Sequence, residues 1–227
     1  YKGALFEGSY FAKNPKKVSQ LLINLFVNKG GIFKKEKVTN IETLEKSKLQ
    51  ITTGSTSEVF DRVIIASGVW SKSLVEATGD KVPLEAERGY HIVNPELKDI
   101  ISRPISWQER GTYFTPMEDG LRTGGIVEFG DTDYEENPKV INFLERALKS
   151  IFPQSNHPTQ SWVGFRPSVP DSLPVIGQSS KNPYIYYCFG HQHIGWSLGG
   201  ISGKLIAQKI CANKTDIDLA PYSLERL

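Results

Sequence analysis

Apolar positions recur at helical spacing directly after Asn14-Pro15, at Val18, Leu21, Leu22, Leu25 and Phe26. An asparagine N-cap with proline at the first helical position starts a helix, and Gly30-Gly31 stops it. Ile32-Phe33, Val38 to Leu44, Leu49 to Thr53 and Val59 to Ala66 then read as strands, separated by charged or Gly-Ser-Thr turns. The last of these runs on into Ser67-Gly68 and passes from polar to wholly apolar before ending in small residues. That pattern predicts a buried strand whose carboxyl end admits close approach to the backbone.

After Pro83 the pattern changes. Segments at Gly89 to Val93, Ile105 to Gln108, Gly111 to Pro116 and Leu121 to Phe129 alternate and carry aromatic or β-branched residues, which predicts an antiparallel sheet. Asn137-Pro138 starts a second helix with Val140, Ile141, Leu144, Leu148 and Ile151 on its inner face, ended by Pro153. From Trp162 the chain returns to the first layer with a strand at Tyr184 to Phe189, a turn, and a helix from about Trp196 to Ala212. The expected fold class is α/β (α+β), with residues 84–158 as a mostly antiparallel sheet domain inserted between 1–83 and 159–227.

Composition narrows the partners little. The 227 residues are 39% apolar and 23% charged, ordinary for a globular protein. A net charge of +2 from 27 basic and 25 acidic residues makes no electrostatic case for nucleic acid. Cys188 and Cys211 have no framework spacing and are expected as buried, reduced thiols. The apolar runs are too short to cross a bilayer and no signal-peptide pattern opens the chain, so a cytoplasmic location is expected. The start at Tyr1-Lys2-Gly3, with Met117 the single methionine, is expected of a fragment.

The chemistry concentrates between residues 164 and 196: Gly164-Phe165-Arg166-Pro167, Pro170-Asp171, Pro174-Val175-Ile176-Gly177, and Gly190-His191-Gln192-His193-Ile194-Gly195-Trp196. Arg166, held between an aromatic ring and a rigid proline, is suited to grip a carboxylate; its plainer role is an ion pair with an acid such as Asp171. The helix opening at Gly195 offers unpaired N–H groups to an anion or an electron-rich ring, while its glycines also permit close packing.

Two other patterns compete. Gly195-Trp196-Ser197-Leu198-Gly199 matches a nucleophile elbow, but all four histidines (His91, His157, His191, His193) precede Ser197, against the order that motif requires. Cys188, His191 and His193 could supply three zinc ligands, giving a non-catalytic, metal-stabilised binding module as a rival from another class.

In this order the motifs resemble the FAD-dependent D-amino acid oxidase and dehydrogenase family, most closely its bacterial D-amino acid dehydrogenase and glycine oxidase branch. The resemblance rests on Gly30-Gly31 followed by Val38, on Asp61 to Gly68 leading to Trp70-Ser71, on Arg88-Gly89-Tyr90, and on the run just quoted. No G-x-G occurs in the chain, so it resembles the carboxyl-terminal portion of such an enzyme, with part of a GR2-like FAD-binding domain and the substrate domain. Alone it is expected to be inactive.

The resemblance implies FAD as cofactor, with Val38 meeting the adenine through its backbone and Ser67-Gly68 close to the cofactor. It implies that Gly190, His191, Gln192, His193, Ile194, Gly195, Trp196 and Ser197 wrap the flavin ring, and that Arg166, Tyr113 and His193 bind substrate. The implied reaction is hydride transfer from the Cα of a D-amino acid to FAD N5, then imine hydrolysis to a 2-oxo acid and ammonia; no residue acts as a catalytic nucleophile. A glycine- or sarcosine-type amine oxidation is the alternative within the family. Oxygen or a quinone chain would take the electrons, and the resemblance allows peripheral inner-membrane association of the full-length protein.

Overall fold

The computed structural model of the chain describes residues 8, 10–45, 48–54, 56–156 and 160–227; His157 lies outside them. In chain order the elements are α1 (Pro15–Asn28), β1 (Val38–Thr43), β2 (Leu49–Thr53), β3 (Ser57–Phe60), β4 (Val63–Ile65), α2 (Ser71–Ala77) and β5 (Glu85–Asn94). Then come β6 (Ile105–Trp107), β7 (Thr112–Met117), β8 (Gly120–Phe129), α3 (Pro138–Ile151), β9 (Gln160–Ser168), β10 (Val175–Gln178), β11 (Ile185–Phe189) and α4 (Gly195–Ile210). The chain divides into unit 1, comprising Tyr1–Lys35, Tyr90–Ile126 and Glu135–Val163, and unit 2, comprising Glu36–Gly89, Val127–Tyr134 and Gly164–Leu227.

In unit 1 the helix starts are set locally. The Asn14 side chain accepts the Lys17 N–H at 2.9 Å and Asn137 accepts that of Lys139 at 3.1 Å, so each Asn-Pro pair caps its helix as its sequence predicts. α3 buries Leu144, Ala147 and Leu148, and Leu144 and Leu148 share a core with Tyr90, Ile92, Phe114 and Leu121 of the strands. Ile151, expected on the inner face, is 43% exposed at the last turn, and Phe152 fills that end of the core instead. α1 buries none of its residues. Ile32 and Phe33 form no strand and both lie exposed.

The five-stranded sheet has the order β6-β7-β8-β5-β9, and β7 is antiparallel to both β6 and β8. The antiparallel expectation therefore holds for these pairs. Side chains alternate along β5: Tyr90 and Ile92 face the core, which sends Gly89, His91 and Val93 to the other face.

In unit 2, β1, β2 and β3 form an antiparallel sheet in that order. A second sheet has the order β10-β11-β4, with β11 parallel to β4 and antiparallel to β10. The single buried strand expected from Val59 to Ala66 is two strands. Val59 and Phe60 belong to the exposed β3, Asp61 sits at a bend and pairs with Lys48, and the chain then enters the other sheet as β4. Even there burial alternates: Val63 and Ile65 are packed and Ile64 is 44% exposed, because the core cluster covers one face.

A buried polar knot braces this sheet. Asp80 accepts hydrogen bonds from the Tyr187 hydroxyl at 2.6 Å and the Ser179 hydroxyl at 2.5 Å, so a carboxylate removed from water is held by two donors. Burial, reinforced by the carboxylate, pushes the Tyr187 phenol up to about 12. Both cysteines are free; Cys188 is half-buried, and Cys211, expected to be buried, is exposed.

Candidate functional site

Arg166 sits on β9 within unit 2. Its guanidinium lies flat over Gly89, where an added Cβ would stand 2.4 Å from Cζ and from both terminal nitrogens. Only glycine leaves the strand bare enough for this, which gives the Arg88-Gly89-Tyr90 motif a physical reason. Arg166 forms no hydrogen bond or ion pair among the described residues, and its Nη1 is shielded from solvent without a partner. Burial lowers the affinity of this guanidinium for its proton, and Glu87 opposes that shift.

Asp171, the plain partner expected for Arg166, is taken elsewhere. Arg226 grips it through Nε at 2.6 Å and Nη2 at 3.1 Å, in the two-pronged geometry a carboxylate accepts. That contact holds the Asp171 carboxyl below its usual range. Glu87 is also engaged: its Oε2 lies 2.9 Å from His193 Nε2. Glu87, which the sequence reading missed, thus links His193 to the neighbourhood of Arg166. Only the alternation of side chains outward from Gly89 along β5 could have signalled it.

The turn before α4 is tied to the end of β9 and the residue that follows it. Gly190 has φ +80, in the left-handed region, and Gln192 follows at φ +47. The Gln192 N–H donates to the Pro167 carbonyl at 3.2 Å and its Nε2 to the Val169 carbonyl at 3.1 Å. The tip of α4 is therefore pinned beside the Arg166-Pro167 step. Ile194 stands at the N-cap and no side chain caps this end, so the first-turn N–H groups of Gly195, Trp196 and Ser197 have no side-chain acceptor.

His191 turns inward instead. Its Nε2 lies 2.8 Å from the Oγ of the buried Ser202, and burial lowers its pKa. The two competing patterns fail on these contacts. Ser197 is inside the helix rather than at a strained elbow, and of the two histidines that most closely precede it His193 pairs with Glu87 and His191 with Ser202. His191 and His193 face different partners, and among the described residues no group of three His, Cys, Asp or Glu side chains is placed to hold a metal ion. Burial raises the pKa of the Cys188 thiol, which disfavours the thiolate a metal needs.

Two further expected positions lie at strand ends of unit 2. Ser67 and Gly68 follow β4, with Gly68 at φ +59, open space where a Cβ would stand, and the Ser67 N–H bonded to the buried Ser71 Oγ at 3.1 Å. Val38 opens β1, half-buried against the core cluster. Tyr113 belongs to unit 1, on β7 opposite Gly124, with its ring 51% exposed.

Comparison with known proteins gives this arrangement a context. Residues 1–209 match the family described as DAO, FAD dependent oxidoreductase. The chain is 33% identical over 232 residues to a D-amino-acid oxidase of Bradyrhizobium diazoefficiens, covering 99% of this chain and 54% of that protein. It is 29% identical over 182 residues to a D-amino acid dehydrogenase of Vibrio atlanticus, covering 78% of this chain and 43% of that one. Among solved structures, glycine oxidase from Geobacillus kaustophilus matches with a TM-score of 0.72 at 24% identity, over 86% of this chain and 53% of that one. Iminodiacetate oxidase from Chelativorans sp. BNC1 matches with a TM-score of 0.78 at 18% identity, over 91% and 57%. These two likenesses show the fold, a mixed α/β arrangement with antiparallel sheets. The chain spans about half the length of the curated relatives it matches. It belongs to the DAO family of FAD-dependent oxidoreductases.

Proposed function

We propose that this chain carries the substrate-carboxylate clamp and the flavin-ring end of an enzyme that oxidises a D-amino acid to its 2-oxo acid and ammonia. One observation carries the reading: a half-buried guanidinium, stacked on bare strand, that forms no ion pair among the described residues. An arginine desolvated in this way is stabilised when a carboxylate arrives, and its fork fixes the orientation of what it holds.

The residues present fit a flavin at two points. The uncapped tip of α4 presents N–H groups and the positive end of a helix dipole, suited to the electron-rich edge of the ring. The open backbone at Gly68 permits close approach at the end of β4. Residues 190–197, Ser67, Gly68 and Val38 would hold the cofactor. When bound, FAD supplies a two-electron acceptor for the substrate Cα–H bond. The residues of this chain orient the substrate and favour negative charge at the helix tip. Arg166 fixes the carboxylate, and the hydrogen bond between Glu87 and His193 keeps both side chains in place beside it. Tyr113 is assigned to the substrate side by family resemblance.

In the full-length protein, anaerobic addition of a D-amino acid should bleach the flavin absorbance. Arg166→Ala should raise KM about 30- to 1000-fold, corresponding to roughly 2 to 4 kcal/mol of lost binding. Unchanged kinetics in that variant would remove Arg166 from the site. Bleaching by glycine or sarcosine in place of D-amino acids would move the substrate class to the alternative.

A further inference from the structure

A second cationic site lies in unit 1, on the sheet face opposite its core. His91 of β5 stacks on Trp162 of β9 with ring centroids 4.8 Å apart and planes 27° from parallel, at the wall of a cavity of about 670 Å³. Burial, with the charge of Arg122, pushes the His91 pKa down to about 4, so the stacked imidazole is neutral at pH 7. Trp162 remains 54% exposed, leaving an indole surface open toward the cavity.

Arg122 of β8 lines the same cavity. It is half-buried, makes no hydrogen bond or ion pair among the described residues, and its Nε is shielded from solvent without a partner. Asp119, the acid that acts on its charge, makes no ion pair with it. Glu118, the other acid of the lining, accepts a hydrogen bond from Asn14 at 2.8 Å. Lys13 and Lys16 bring the lining to three cations against two acids.

We infer that this cavity binds a small organic carboxylate, with Arg122 as the anion-holding group and the Trp162–His91 pair as a flat wall for the ligand's apolar part. The volume is that of a small-molecule pocket. A planar guanidinium with free donors matches a carboxylate edge to edge, and a stacked indole suits a flat or apolar body. The slight positive excess favours a monoanion, since Glu118 and Asp119 would repel added negative charge. This site does not depend on Arg166, which belongs to unit 2.

Benzoate is a suitable probe, titrated into the full-length protein while the ring protons of His91 are followed by NMR. A saturable shift of the His91 resonances is expected. Arg122→Gln should weaken it at least about tenfold, the loss of a charge-assisted contact, and Arg166→Gln should leave it unchanged. Benzamide, the neutral isostere, should shift His91 at least about tenfold more weakly for the same reason. Absence of a saturable shift at millimolar benzoate, or a shift indifferent to Arg122→Gln, would overturn the assignment. A response lost only in Arg166→Gln would also overturn it and place the ligand at the proposed substrate clamp. Should Arg122→Gln fail to fold, Arg122→Lys keeps the charge without the fork and is expected to weaken benzoate likewise; unchanged affinity there would sink the fork.

Discussion

Two arginines near the end of the chain solve opposite problems. Arg226 is closed: it holds Asp171 through two nitrogens and also donates to the Ser223 and Leu173 carbonyls. Arg166 is open: half-buried over Gly89, it has no such bond. A guanidinium whose donors are met inside the fold braces structure, whereas one desolvated and left unmet is poised for a ligand. The same contrast separates Arg88, which donates to the Tyr134 carbonyl at 2.9 Å, from Arg122.

The largest test of the contrast is Arg166→Lys in the full-length protein, read against the proposed activity. A lysine keeps the charge but not the two-pronged contact, so KM should rise about 100-fold with little change in melting temperature. Equal kinetics with lysine would make the site a point charge rather than a fork.

His91 is another ionisable group, partly buried and without an ion pair among the described residues, and its effect reads out in stability. The unfolded ring titrates near 6.5 and the folded one near 4, so between these values the unfolded chain holds the additional proton. Stability should be full above pH 6.5 and decline by up to about 3 kcal/mol as pH falls toward 4. Urea unfolding at several pH values, with His91→Gln as control, checks this; an identical slope in both proteins would refute it.

Gly89→Ala probes the open arginine from beneath. The added methyl would push the flexible guanidinium aside, raising KM roughly tenfold by misaligning the contact while the core stays packed. A loss of stability without a change in KM would mean that the glycine serves the strand alone.

The smallest effect belongs to the closed arginine. Arg226→Ala should lower stability by about 1 kcal/mol or less, because the pair is partly exposed and screened by solvent. Asp171 has its carboxyl held low in the fold, so this contribution is present above its unfolded value of 3.8 and disappears as pH falls through the depressed folded one. Substrate KM should not move, and an Arg226→Ala enzyme with a raised KM would blur the distinction between the two residues.

The identity of Arg166 as a candidate was legible from Gly-Phe-Arg-Pro, but its lack of a partner was not. Asp171 lies five positions along the chain, yet it is claimed by Arg226, 55 residues away. Glu87 and His193 meet across 106 residues, a pairing that no local spacing encodes. The helices show the same division. α1 and α3 are each 14 residues long and begin at Asn-Pro, yet α3 packs Leu144 and Leu148 into a core and α1 buries nothing.

By itself the sequence determined the helix starts at Asn14 and Asn137, the alternation of the sheet strands, the glycine-bounded turn at residues 190–195, and membership of a flavin-dependent family. The helix starts, the alternation and the turn depend on φ preferences, side chains reaching their own backbone, and periodicity, all of which act over a few residues, whereas the family rests on the resemblance of motifs taken in order. Tertiary structure decided which cations are closed and which open, where the apparent strand at Val59 to Ala66 breaks between two sheets, and which apolar faces are covered. Those outcomes depend on groups brought together from distant parts of the chain, where burial strengthens an unmet charge and only the fold decides what meets it.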